Sequence, residues 1–272
     1  MNWRGIWAVA RKDTTVIVRT KAVMLPLIIV PIILQIVMPT AFGILATFLP
    51  MGDPDAQEVL QLLDNMPPTI REEVAGMDQR QVFLYLMVVY LFAPLYLVVP
   101  LMVSSVVAAD SFAGEKERKT LEALLHSPMT GRELLIGKIL SALIPAVLVS
   151  VFSFILYALV LNIVGWPLMG RIFFPNPMWL LLVFWVAPAV SLLGLGITVI
   201  VSTRVNTFQE AYQLGGLVVL PVVALMISQV SGVIYLSPIF VFVLGLIVWL
   251  LDAGMIWAGM RFFRRENLLA QL

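Results

Sequence analysis

The chain has 272 residues, 61% of them hydrophobic and only 12% charged, with a mean hydropathy of +1.01. A soluble domain carries about 25% charged residues, so a water-soluble globule and a disordered chain are both excluded. Seventeen basic against sixteen acidic residues leave a net charge of +1, too even for a nucleic-acid binder. There is no cysteine, and His126 is the single histidine, so thiolate and multi-histidine metal sites are not expected.

Residues 3–18 read as an amphipathic helix. At about 100° per residue, Trp3, Ile6, Trp7, Ala10, Ile17 and Val18 share one face, and Arg4, Arg11, Lys12 and Arg19 another. Such a helix is expected at the inner membrane surface with tryptophan at headgroup level. The charged lead is too long for a cleavable signal peptide.

Charge-free stretches then set the architecture. They cover 22–52, 81–109, 139–170, 172–203 and 211–251. A bilayer core needs about 20 apolar residues as helix. The first four supply one span each, and the last is long enough for two, broken at Ser237-Pro238. The expected fold is an all-α membrane protein with spans at roughly 23–49, 82–109, 139–161, 179–201, 214–231 and 238–260. The whole chain, 1–272, reads as a single transmembrane domain. Pro26, Pro31 and Pro39 predict kinks in the first span, and Pro94 and Pro100 in the second. Ala187/Ser191 and Gly254/Ala258 have the spacing that permits close helix approach.

Fourteen of the seventeen basic residues fall on one side of this layout; only Arg71, Arg80 and Arg171 fall on the other. Basic loops stay in the cytoplasm, so both termini are expected there, in a multi-pass protein of the cell membrane. The outer segment 50–81 is acidic. Within it, Val59, Leu60, Leu62 and Leu63 suggest a short helix, and Ile70, Val74 and Met77 a second after Pro67-Pro68.

The loop 110–138 holds ten charges, five of each sign. Glu115 precedes Lys119 by one turn, the favourable order for a helical ion pair. The second span is expected to continue as a helix with an apolar face of Leu121, Leu124 and Leu125 until Ser127-Pro128 ends it. Thr130-x-x-Glu133 has the spacing of a capping box and starts the next helix.

The run Ala109-Asp110-Ser111-Phe112-Ala113-Gly114-Glu115-Lys116-Glu117-Arg118-Lys119-Thr120-Leu121-Glu122, followed by Leu124-Leu125-His126-Ser127-Pro128 and Gly137-Lys138, resembles the permease subunits of type-2 ABC exporters, notably the branch of sodium-extruding permeases. That resemblance implies a dimer, each copy docked on a separate ATPase subunit. Ser127, Pro128, Met129, Thr130, Gly131, Arg132 and Glu133 would form the coupling helix seated on the ATPase, supported by Glu115, Glu117 and Arg118. It also implies a path lined by spans two and five, and a re-entrant hairpin that would include 231–237.

The chain has no nucleotide site of its own. Gly131 to Ile139 imitates a phosphate loop, but its spacing is one residue too long and Ile139 stands where a magnesium-binding hydroxyl belongs. No cofactor or metal is expected on this chain; ATP and magnesium would bind the partner. Ser104, Ser105, Ser228, Gln229 and Asp252 are the candidate pathway or intramembrane polar groups. Asp252 is the one ionisable residue within a span, and a bond to a neighbouring helix is the preferred role. A path lined mostly by Val, Leu and Ile compensates a stripped ion poorly. The expected function is therefore export of an amphipathic or hydrophobic cargo, with sodium extrusion second. An intramembrane enzyme would need a partner for Asp252. A non-transporting membrane anchor or sensor would share the topology without needing the loop. The expected partners are an ABC ATPase subunit, a second copy of the permease as a homodimer, and the lipid bilayer.

Overall fold

The computed structural model describes residues 2–48, 67–120 and 129–262, and all their regular structure is helical. Helix α1, Trp3–Arg19, starts at Asn2, whose side chain accepts from the Gly5 N–H at 3.1 Å. Among the described residues, six helices are long and apolar enough to cross a membrane. They are α2 (Val23–Phe48), α4 (Gln79–Glu117), α5 (Gly131–Met169), α6 (Pro177–Ser202), α7 (Phe208–Val230) and α8 (Pro238–Phe262). A short α3, Pro68–Glu73, precedes α4.

Helix α4 is the axis of the bundle. Of its most apolar window 78% is buried, against 22% for α7 and α8. It packs along α5 and α6. Where α4 and α6 cross, a Cβ on Gly194 would lie 2.9 Å from both Leu101 Cδ1 and Ser105 Oγ, so any larger residue would force those side chains to shift. Gly254, by contrast, faces open space; the small pair Gly254/Ala258 does not mark a crossing there.

The helices outrun the apolar stretches that signalled them. α5 begins at Gly131 rather than near 139, because Thr130 and Glu133 cap it as a full capping box. α4 begins at Gln79 on a second capping box, Asp78 with Gln81. Hydropathy marks where a helix is apolar, not where it stops.

Three of the prolines follow widened, π-type turns, whereas Pro26 and Pro31 lie within ordinary α-helix. One lies at Ile33–Val37 just before Pro39, one at Leu86–Leu91 before Pro94, and one at Leu182–Val186 before Pro188. Pro94 offers no N–H to the carbonyl of Tyr90. Side chains from three other helices bond the carbonyls here: Tyr157 to Val88 at 2.5 Å, Trp179 to Val89 at 2.7 Å, and Gln229 to Tyr90 at 3.2 Å. At this end of the bundle Glu73 of α3 accepts from Tyr85 and Tyr90, while Ile70 and Val74 are buried beneath it. The helix expected near 59–63 lies outside the described residues.

Two expectations are corrected. α4 does not run on towards Ser127-Pro128. It closes after Glu117, with Lys119 at φ 56° and bonds from Thr120 N to Glu115 O and from Lys119 N to Lys116 O. That pattern is a Schellman closure; a helix so closed cannot continue in line. The face of Leu121, Leu124 and Leu125 and the corner itself lie outside the described residues. The segment 231–237 is a plain connector rather than a hairpin. Gly232, at φ 72°, closes α7 in the same way, and Ser237 caps α8 through the Phe240 N–H. Seven residues leave no room for two helical arms.

Candidate functional site

The charges that hydropathy left over converge where α1 meets α4 and α5. A fourth widened turn, Asp110–Gly114, lies here with no proline after it. Such a turn leaves carbonyls without ordinary intrahelical donors, and side chains use them: Arg118 donates to the Asp110 carbonyl at 3.3 Å, and Lys138 donates to the Ser111 carbonyl.

Lys138 is the centre of the cluster. It is 1% exposed, yet its ammonium donates to Glu115 Oε2 at 2.6 Å, lies 3.8 Å from Asp13 Oδ2, and sits 4.8 Å above the Phe112 ring. Lys12 bonds the other Glu115 oxygen and lies 3.5 Å from Asp13. The Ser111 hydroxyl donates to Asp13. Two cations and two anions thus cancel in a site that excludes water from three of them. Burial by itself would lower the pKa of the Lys12 ammonium, but the hydrogen bond and charge of Glu115 more than offset it and hold Lys12 above its ordinary value.

Glu115 therefore does not pair with Lys119 along its own helix. It turns towards α1 and α5, where Lys12 and Lys138 offer two donors in a drier place. Glu117 accepts the Phe208 N–H at 2.9 Å and so caps α7. Arg118 folds back on Asp110 at 3.0 Å, a bond that raises the pKa of its guanidinium. Of the three residues named from the signature, Glu115 ties the end of α4 to α1 and α5 and Glu117 ties it to α7, while Arg118 braces α4 on itself.

The start of α5 carries the described part of the loop, Met129 to Glu133. Glu133 accepts from Thr130 N at 2.9 Å and from the backbone N–H of Asn2 at 2.5 Å, so it caps its own helix and grips the start of α1. Met129 packs with Val9 and Leu134. Gly137 lets α1 lie close: a Cβ there would meet Val9 Cβ at 3.1 Å and the Ile6 carbonyl at 3.2 Å. Arg132 and Thr130 are the exposed members of this group, and Thr130 is engaged in capping α5. Ser127 and Pro128 lie outside the described residues.

Helix α1 splits the face expected of it. Ile6, Ala10 and Ile17 are buried with Val9 and Asp13, whereas Trp3 and Trp7 are each 56% exposed. Asp13, Ser111 and Lys138 went unrecognised as site residues. The signals were present: Asp13 stands alone on an apolar helix face, and Lys138 is the last charge before the third apolar run.

The intramembrane candidates do not form one site. Ser104 and Ser228 bond carbonyls of their own helices, and Gln229 reaches the Tyr90 carbonyl. Ser105 Oγ is buried without a partner among the described residues. Asp252 is 2% exposed, and neither carboxyl oxygen has a hydrogen-bond partner among the described residues. The expected bond to a neighbouring helix is absent there.

Six apolar helices, one of them a buried axis, with a buried charge cluster at one end, define a multi-pass membrane protein. The sequence profile of the ABC-2 family transporter proteins matches residues 7–262. The chain belongs to that family and is a membrane permease component of an ABC transporter. No curated protein and no solved structure matches it.

Proposed function

We propose that this chain is the membrane half of an ATP-driven exporter, and that the α1 end of the bundle is the cytoplasmic end that takes the ATPase. The observation that carries this reading is the grip of Glu133. Its carboxylate holds the first turn of α5 and the start of α1 together, and Lys138, less than two turns further along, holds α4. A push on 127–133 therefore moves three helices as one body, which is what coupling requires. The excess of basic residues on this side, fourteen of seventeen, supports the cytoplasmic assignment.

In this reading ATP and magnesium bind the partner chain, which docks on Ser127 to Glu133. Two permease copies enclose a path along α4 and α7, and the cargo is amphipathic or hydrophobic. Arg132 is the residue that reaches the partner. It is exposed, and as a cation in the first turn of a helix it opposes the helix dipole, so stability does not explain it. Sodium extrusion is the second reading; the buried carboxyl of Asp252, without a hydrogen-bond partner among the described residues, favours it.

The test is Arg132→Glu in the complex reconstituted with its ATPase. Loss of complex formation and of stimulated ATP hydrolysis is expected. If both persist, the coupling element has been misassigned, and an anchor or sensor role gains. Sodium uptake into inverted vesicles, compared with extrusion of a lipid-like dye, separates the two cargo readings.

A further inference from the structure

We infer that α1 carries a binding surface for anionic lipid headgroups, distinct from any ATPase contact. The inference rests on the reading of α1 as a helix at the cytoplasmic membrane surface and adds the chemistry it recognises there.

The arrangement around the helix is ordered. At about 100° per residue, the sector docked on protein runs from Val9 through Asp13 and Ile6 to Ala10. Next come Trp3, Trp7 and Val18, which are 56%, 56% and 61% exposed. Then follow Arg11 and Arg4, and after them Arg19 and Lys12. A helix lying on a bilayer with its protein contacts to one side would place tryptophan at the boundary and arginine at the phosphates, in this sequence.

The charge is one-sided as well. Asp13 is the only acid in α1, and it is buried against Ser111 and the two lysines. The exposed charges are all basic, and Arg4, Arg11 and Arg19 make no ion pair among the described residues. The fold neutralises the acid inside and leaves the cations outside. Each cation near an anionic surface adds to the attraction, and tryptophan beside them selects a lipid boundary over an acidic protein face, which would leave the indoles bare. Because the opposite side of α1 is keyed to Glu115, Lys138 and Glu133, the headgroups would hold the whole clasp at the membrane plane.

The full chain is placed in phosphatidylcholine vesicles containing either brominated phosphatidylglycerol or brominated phosphatidylcholine at equal fraction. Fluorescence lost from Trp3 and Trp7 is read as the difference between the wild type and Trp3→Phe/Trp7→Phe. Stronger quenching by the brominated phosphatidylglycerol is expected. It should vanish in Arg4→Gln/Arg11→Gln/Arg19→Gln and persist in the corresponding triple Lys variant. Equal quenching by both lipids overturns the headgroup site while leaving α1 at the surface. No quenching by either removes α1 from the surface and overturns both readings of it. If the Gln variant keeps the lipid preference but loses its ATPase in detergent, the basic face belongs to the protein partner and the inference falls.

Discussion

The ammonium of Lys138 lies 2.6 Å from Glu115 Oε2 in a place where the two side chains are 1% and 4% exposed. The pair joins α4 to α5, and Lys12 joins both to α1. Removing one member of a buried pair leaves a bare charge, which costs about 3–5 kcal/mol. Lys138→Met should therefore lower the thermal unfolding midpoint in detergent sharply. Glu115→Gln with Lys138→Met should cost less than the two single losses added, since Lys12 and Asp13 then remain balanced. Strict additivity would show that the two residues are not coupled.

Gly137→Ala tests the docking of α1. The new methyl meets Val9 Cβ and the Ile6 carbonyl at just over 3 Å, and overpacking of this kind costs about 1–3 kcal/mol. The strain falls on the contact between α1 and α5, not on the bundle axis. Hydrogen exchange should rise in α1 and stay unchanged in α6. Equal exchange in both would mean that α1 is not held at this crossing.

Arg132 and Glu133 are neighbours with opposite expected behaviour. Arg132→Glu puts an acid at the positive end of α5, so the unfolding midpoint should hold or rise slightly while ATPase binding is lost. Glu133→Lys removes the bonds to Thr130 and Asn2, so the midpoint should fall whether or not the partner is present. Thr130→Ala, which removes only the cap, should cost about 1 kcal/mol. Matching losses of stability for Arg132 and Glu133 would contradict this division of labour.

Asp252 makes no hydrogen bond among the described residues although it is buried. An unbonded buried polar group is a cost, so Asp252→Leu should leave the unfolding midpoint unchanged or raise it. Transport assays on the same variant then decide its role. Retained folding with lost cargo movement places the carboxyl on the path; a fall in the midpoint would reveal a structural partner.

Composition and the spacing of charges determined the class of this protein. Five uncharged stretches and a one-sided distribution of lysine and arginine are properties of the chain that no packing can reverse, because backbone in lipid must bond within its own helix. The capping box at Thr130 and Glu133 was legible for the same reason: it depends on residues three apart. What the tertiary structure alone decided is where the charges go. Glu115 faced a local partner in Lys119 and two distant ones in Lys12 and Lys138; burial favoured the distant pair, and only the packing of α1 against α4 and α5 creates that burial. Asp13 and Lys138 are conspicuous singly in the sequence, but nothing in it pairs them until three helices close over them. The end of α4 was equally hidden, since a left-handed lysine closes it where sequence preference would call for glycine.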